Sequence, residues 1–164
     1  MNSGITLIAT DIDGVLTDGP AILDVNGNEQ KIISYKDLDA HSLGKRMGID
    51  FVFITGEDNR MVKIICERFG ADRVQAGAKN KLPVLISVCE KLGLKNSQVC
   101  YIGDSDRDVE AIKWAGLGIA PRDASKRAIL AANYVTECKG GDGVLAEVLE
   151  FLFRNIREGE NIED

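Results

Sequence analysis

A chain of 164 residues is long enough for one domain with a buried core and too short for two of ordinary size. A formal net charge of −6, with 45% hydrophobic and 28% charged residues, is typical of a globular protein and argues against a nucleic-acid-binding protein, which would carry a basic face. The four cysteines form no C-x-x-C pair and no signal peptide or membrane-spanning apolar run is recognisable, so we expect a cytoplasmic protein without a zinc site or a membrane contact.

Short apolar runs alternate with amphipathic segments along the chain. Strands are predicted at residues 5–10, 22–24, 30–35, 51–54, 74–75, 99–102, 117–120 and 133–135. Helices are predicted at residues 37–47, 59–69, 81–92, 109–115, 125–131 and 144–156. The Asn26-Gly27 pair predicts a β-hairpin inserted at about 20–35, after the first strand. The pattern predicts an α/β, Rossmann-like parallel sheet with helices on both faces, in a single domain over 1–156 with a polar tail over 157–164.

Three of the predicted strands end in residues that can carry chemistry. Asp11 and Asp13 follow the first strand, Thr55 follows the strand 51–54, and Asp104 follows the strand 99–102, while Lys81 begins a helix. In an open parallel sheet, ligands bind beyond the carboxyl ends of the strands, so these side chains are expected to converge. Each alone could belong to a turn or a helix cap, but all of them in this order predict an active site.

The residue types suit phosphoryl transfer. Asp11 and Asp104 can hold Mg²⁺, which prefers oxygen ligands. The carboxylate of Asp11 can attack phosphorus to form an aspartyl-phosphate, and Asp13 can protonate the leaving oxygen and then activate water. Thr55 and Lys81 can bind the non-bridging phosphate oxygens. We therefore expect a magnesium-dependent phosphatase.

The segment 11–17 (DIDGVLT) resembles the first motif of haloacid dehalogenase superfamily phosphatases. Thr55, Lys81 and the segment 103–108 (GDSDRD) are similar to the second, third and fourth motifs, so the resemblance covers nearly the whole chain. It implies a Rossmann-like fold and a metal site. The implied metal ligands are Asp11, Asp104 and the backbone carbonyl of Asp13. The implied phosphate-binding residues are Thr55, Gly56 and Lys81.

Two residues close to Asp104 are expected to support the metal site. Asp108 lies one helical turn beyond Asp104, where it can orient a metal-bound water or Lys81. Ser105 stands where the family often has a second Asp. This difference should keep the metal ligand and alter its surroundings.

Further segments narrow the resemblance to the capless phosphatases of 3-deoxy-D-manno-octulosonate 8-phosphate and of nine-carbon sialic-type acid 9-phosphates. These segments are 17–19, the inserted hairpin, 75–77 and 139–143. Only about 40 residues separate the first two motifs, which leaves no room for a cap domain. Members of this subgroup are typically tetramers whose hairpins meet at the centre. The resemblance thus implies a homotetramer in which a neighbouring subunit helps to close each active site. It also implies a role in cell-envelope or capsule biosynthesis.

Two residues are candidate contacts for the sugar acid phosphate. Octulosonate phosphatases commonly carry Arg after the Thr-Gly of the second motif, whereas this chain has Glu57, which is more similar to the nine-carbon enzymes. Lys139 lies among glycines. It is either an ordinary loop residue or a contact with the phosphate or substrate of a neighbouring subunit.

Three other functions share some of these features. A signalling receiver domain also uses acids, Thr and Lys, but it needs no second acid two residues after the first, and Asp13 is present. A catalytically silent regulatory or tetramerising module, similar to the domain attached to animal sialic-acid cytidylyltransferases, would tend to lack the nucleophile Asp11. A third alternative is that the protein is a phosphatase of another small sugar phosphate.

Overall fold

A computed structural model describes residues 4–160, with the backbone alone for 155–160. The strands are β1 (Leu7–Thr10), β2 (Ile22–Leu23), β3 (Glu29–Gln30), β4 (Asp50–Ile54), β5 (Val74–Gln75), β6 (Val99–Ile102), β7 (Leu117–Ala120) and β8 (Tyr134–Val135). The α-helices are α1 (Tyr35–Arg46), α2 (Arg60–Phe69), α3 (Lys81–Leu92), α4 (Val109–Trp114), α5 (Lys126–Ala131) and α6 (Val144–Glu160). Two short 3₁₀-helices cover Asn96–Gln98 and Asp106–Asp108.

Six strands form one parallel sheet in the order β5-β4-β1-β6-β7-β8, with β1 at the centre between β4 and β6. Successive side chains of a strand point to opposite faces, and both faces of β1 are buried. Ile8 belongs to a core shared with α1, α2 and α6, whereas Leu7 and Ala9 belong to a core shared with α3, α4 and α5. The predicted α/β sheet with helices on both faces is therefore confirmed.

The predicted insertion is a two-stranded antiparallel hairpin, β2-β3, separate from the main sheet. Asp24 holds its turn by accepting hydrogen bonds from the backbone N–H groups of Asn26 and Asn28, and Gly27 takes the positive φ of +80° that the turn requires. β3 ends at Gln30, earlier than predicted. The next helix begins at Tyr35, because Ser34 caps it by accepting from the N–H of Lys36.

Helix α6 continues to Glu160, four residues beyond the predicted end at 156. Residues 157–160 of the expected polar tail therefore lie in the helix, and 161–164 fall outside the described residues. The start of α6 is capped from a distance, since Oδ1 of Asp37 in α1 accepts from the N–H of Ala146 (3.1 Å). Within residues 4–160, not even α6 is long and apolar enough to cross a membrane.

Candidate active site

The carboxyl ends of β1, β4 and β6 lie side by side, because Thr10 pairs with Phe53 on one side and with Ile102 on the other. This register brings the residues that follow the three strands to one edge of the sheet. They are Asp11 after β1, Thr55 after β4 and Asp104 after β6.

Asp11 is held in place through both carboxylate oxygens. Oδ1 accepts a hydrogen bond from the N–H of Ile12 (2.7 Å), and Oδ2 lies 2.5 Å from Nζ of Lys81. Both charged side chains are buried, with side-chain exposures of 8% for Asp11 and 2% for Lys81. Burial raises the pKa of Asp11, and Lys81 offsets part of that rise. The ion pair therefore holds an oriented carboxylate at the end of the central strand.

Lys81 also binds a second carboxylate, Oδ1 of Asp108, at 2.9 Å. Asp108 accepts further hydrogen bonds from the hydroxyl of Tyr101 (2.7 Å) and from the backbone N–H (3.0 Å) and hydroxyl (2.7 Å) of Ser105. Burial opposes the ionisation of Asp108, but these partners together outweigh it and lower its pKa. Burial likewise disfavours the ammonium form of Lys81, and the two carboxylates outweigh it and raise the pKa of Lys81. Lys81 is therefore a permanent cation in this site.

The third acid, Asp104, completes a cluster in which carboxylate oxygens of Asp11, Asp104 and Asp108 lie within 4.8 Å of one another. Burial, followed by repulsion from Asp11 and Asp108, raises the pKa of Asp104 to about 7. Among residues 4–160, no other residue donates a hydrogen bond to its carboxylate. Crowded acids with unused oxygens are the donor set that a hard divalent cation prefers, so the residues fit a magnesium-type site.

Gly14 allows Asp104 to approach the loop after β1. Its φ is +83°, and a Cβ atom built there would lie 1.9 Å from Oδ2 of Asp104. No other residue type fits that space without displacing the carboxylate. The glycine of the first motif is thus required by the position of the candidate metal ligand.

A cleft of about 250 Å³ opens above these acids. Thr55 is buried in its wall, with its hydroxyl accepting from the N–H of Glu57 (3.2 Å), and Gly56 also lines the cleft. Two exposed charged side chains of opposite sign, Glu57 and Arg107, lie along the same cleft. The cleft therefore combines the candidate nucleophile, an acidic cluster and groups able to bind an anionic substrate.

Asp13 lines the cleft and is held through one oxygen. Its Oδ1 contacts Nζ of Lys31, a residue just after β3, and accepts from the hydroxyl of Thr17 (3.3 Å). Among the described residues, no donor reaches Oδ2 of Asp13. The second acid of the first motif is therefore fixed in orientation with one oxygen free.

Comparison with known proteins places this arrangement in a family. Residues 73–148 match the model of the haloacid dehalogenase-like hydrolases. The chain is also 33% identical over 148 residues to the 3-deoxy-D-manno-octulosonate 8-phosphate phosphatase of Escherichia coli strain K12, covering 90% of this chain and 79% of that protein. The chain belongs to the haloacid dehalogenase-like hydrolases. The family resemblance and the expectation of an enzyme are thereby confirmed.

Solved structures of this hydrolase family share the fold over most of the chain. The 3-deoxy-D-manno-octulosonate 8-phosphate phosphatase of Moraxella catarrhalis, in complex with a magnesium ion, a phosphate ion and a KDO molecule, matches with a TM-score of 0.88 and 32% identity over 93% of this chain and 88% of that one. The cobalt-bound phosphatase of the same type from Haemophilus influenzae matches with a TM-score of 0.86 and 26% identity over 93% and 89%. Within residues 4–160 the structure shows no cap domain, and the match covers most of the length of each neighbour.

Two charged residues of the candidate site, Lys31 beside Asp13 and Arg107 on the cleft, were not predicted from the sequence. Lys31 contacts Asp13 from 18 positions along the chain, and a lysine after a hairpin strand carries no signal of such a contact. Arg107 stands inside the fourth motif, between the candidate ligand Asp104 and Asp108, and its register in a short 3₁₀-helix turns it towards the cleft. The motif itself was a usable signal for Arg107.

Lys139 is exposed and is not among the residues that line the cleft. Its glycine neighbours have a structural role in this subunit, because Gly141 donates from its N–H to the carbonyl of Val15 (2.9 Å) and a Cβ atom at Gly140 would lie 2.1 Å from the carbonyl oxygen of Gly14. The glycine loop therefore packs directly against the loop that carries Asp11 and Asp13. A contact of Lys139 with a neighbouring subunit stays a prediction.

Proposed function

We propose that the protein is a magnesium-dependent phosphatase that removes the terminal phosphate of an acidic 3-deoxy-2-keto sugar, with 3-deoxy-D-manno-octulosonate 8-phosphate as the first candidate. The observation that carries the proposal is the buried Asp11–Lys81 ion pair beside Asp104 at the end of the central strand. The relatives named above are phosphatases of this sugar phosphate, and each matches most of this chain. This similarity supports the choice of substrate.

Asp11 and Asp104, with the backbone carbonyl of Asp13, would hold the magnesium ion. When bound, the ion neutralises charge on the acids and on the phosphate and so lowers the barrier to attack by an anionic nucleophile. Asp108 is already engaged by Lys81, Tyr101 and Ser105, which supports an orienting role for it over direct ligation.

The chemistry proceeds in two displacements at phosphorus. In the first, a carboxylate oxygen of Asp11 forms a bond to phosphorus while the bond to the sugar oxygen breaks, and Asp13 gives its proton to that departing oxygen. In the second, Asp13 takes a proton from a water molecule that attacks the phosphorus of the aspartyl-phosphate. Inorganic phosphate leaves and the carboxylate of Asp11 is regenerated.

Phosphate charge is balanced by groups of the cleft wall. Thr55 and the backbone beside Gly56 would donate hydrogen bonds to non-bridging oxygens, and Lys81 supplies a cation next to the nucleophile. Since Lys81 is buried, its interaction with the phosphate is not screened by bulk water.

A nine-carbon sialic-type acid 9-phosphate is the second candidate substrate, and Glu57 is the observation that favours it. Its exposed carboxylate lies along the cleft, where it can accept hydrogen bonds from the additional hydroxyl groups of a longer sugar. Arg107, on the same cleft, can bind the sugar carboxylate in either substrate.

The test is phosphate release from the eight-carbon acid 8-phosphate, the nine-carbon acid 9-phosphate and neutral hexose phosphates, with magnesium and with a chelator. We expect preference for one acidic sugar and loss of activity with the chelator. Equal slow hydrolysis of all substrates would remove the substrate assignment and favour a phosphatase of another sugar phosphate. No hydrolysis of any substrate would favour the silent regulatory module.

We further propose that the enzyme assembles as a cytoplasmic homotetramer through its hairpin. Ile22, Leu23 and Ile32 are 59%, 68% and 59% exposed, and Val25 at the turn is fully exposed. An apolar hairpin projecting from a single subunit is typical of an interface between copies. Leu23→Asp, measured by light scattering, should shift the protein towards smaller species, whereas a wild-type monomer at micromolar concentration would contradict the proposal.

A further inference from the structure

The side chain of Lys31 is charged and largely shielded from solvent, and the reaction described above does not use it. Its side chain is 10% exposed, against 28% for its partner Asp13. Lysine is normally left in water, because burying its ammonium group costs free energy unless a partner compensates. The contact with Oδ1 of Asp13 is that compensation.

The backbone holds Lys31 in this position. Thr17 and Ile33 form an antiparallel bridge, and the N–H of Asp18 donates to the carbonyl of Ile32 (3.3 Å), so the chain returning from the hairpin is fastened to the loop after β1. Lys31 lies directly before this fastening point. Its side chain thus reaches Asp13 across a fixed backbone frame.

Two donors converge on one oxygen of Asp13. Lys31 and the hydroxyl of Thr17 both reach Oδ1, while Oδ2 receives no hydrogen bond from the described residues. A carboxylate that is held through one oxygen keeps a fixed orientation, and its other oxygen is free to bind a substrate. Asp13 lines the cleft. Oδ2 is thus the oxygen that stays available for proton exchange with substrate and water.

We propose that Lys31 is a positioning residue for the proton transfer carried out by Asp13, which rests on the phosphatase function proposed above. Lys31 fixes the carboxyl group so that Oδ2 meets the departing sugar oxygen. The contribution of Lys31 to the rate of the first displacement depends on the leaving group. A sugar alkoxide cannot leave without a proton, whereas 4-nitrophenolate can. Loss of Lys31 should therefore slow the formation of the aspartyl-phosphate from alkyl phosphates far more than from aryl phosphates.

The experiment compares Lys31→Met and Lys31→Arg with the wild type and with Lys126→Met, which removes an exposed lysine of α5. The substrates are the preferred acidic sugar phosphate, a neutral hexose 6-phosphate and 4-nitrophenyl phosphate. Acetyl phosphate, whose leaving group also needs no proton, replaces the aryl ester if the wild type does not hydrolyse it. Thermal unfolding of each variant shows whether the fold is kept.

For Lys31→Met we expect kcat/KM, which reports the steps up to departure of the leaving group, to fall by about 10- to 100-fold on both sugar phosphates and to change by less than about threefold on the aryl ester. kcat is not the readout, because Asp13 also activates water in the second displacement, which all substrates share. Lys31→Arg should recover part of the loss, and Lys126→Met should match the wild type. An equal loss of kcat/KM on all substrates, or no loss, would overturn the proposal. A rise in KM confined to the acidic sugar would overturn it in favour of a carboxylate-binding lysine. A wild type without any hydrolysis would instead remove the phosphatase function itself.

Discussion

Nζ of Lys81 lies 2.5 Å from Oδ2 of Asp11, and both groups are almost completely buried at the end of the central strand. A buried ion pair contributes little to stability by itself, but removal of one partner leaves an uncompensated charge in a medium of low polarity. The pair is therefore vulnerable to substitution at either residue, with different consequences for folding and for catalysis.

Asp11→Asn should abolish turnover and keep the fold. The amide retains the shape and the hydrogen bond from Ile12 but cannot attack phosphorus, so phosphate release should fall by more than about 10³-fold. The control is Asp106→Asn, which changes an exposed acid outside the cleft that contacts Ser125 and Arg127. Full activity of Asp11→Asn would remove the nucleophile assignment.

Lys81→Met should destabilise the protein as well as inactivate it. Two buried carboxylates lose their cation, which should lower the free energy of unfolding by about 3–5 kcal/mol near neutral pH. The loss should be smaller at pH 5, because the unpaired acids can then bind protons. Urea unfolding at both pH values measures the effect. Addition of Asp108→Asn should restore part of the stability, and failure to do so would argue against the coupling.

Gly14→Ala should weaken the metal site. The added methyl group would meet Oδ2 of Asp104 at 1.9 Å, whereas Gly27→Ala places a methyl group in open space at a similar φ of +80°. Both variants carry the strain of a left-handed backbone, about 1–2 kcal/mol. Only Gly14→Ala should raise the magnesium concentration for half-maximal activity, by about 10-fold or more. Equal magnesium titrations in the two variants would contradict the placement of Asp104.

Asp37 should make stability depend on pH. Burial raises its pKa from 3.8 to about 6, although backbone N–H groups at the start of α6 donate to it. The folded protein thus binds the proton more tightly than the unfolded chain, so the stability from this group is complete below about pH 4 and is lost as the pH rises through 6. As the pH rises from 4 to 7.5, the free energy of unfolding of Asp37→Asn should increase by up to about 3 kcal/mol relative to that of the wild type. Urea unfolding checks this, and a difference that is independent of pH would refute it.

Arg107→Ala should reduce affinity for acidic sugars alone. Loss of a partly solvated ion pair with the substrate carboxylate should raise KM for the acidic sugar phosphate by about 10-fold with little change in kcat. KM for a neutral hexose phosphate should stay the same, and Arg46→Ala in α1 serves as the control for loss of a surface arginine. An equal rise for both substrates would indicate that Arg107 binds phosphate.

Local patterns predicted the sheet and the main acids of the site because both depend on short-range properties. Short apolar runs such as Val99–Ile102, placed between helical segments, are typical of buried strands, and β6 has those limits. Asp11 and Thr55 follow such strands directly, and Asp104 follows one after a single glycine, so the parallel order of the sheet was enough to bring them together.

The fold class, the order of the motifs and the family could all be predicted from the residues along the chain. The contacts between residues far apart in the chain could not, and examples are Lys31 with Asp13 and Asp37 with the N–H of Ala146, 109 positions away. Strand and helix formation depend on periodicities that can be read within a few residues. The pairing of a buried charge depends on how separate elements pack, and no local pattern records which residue will compensate it.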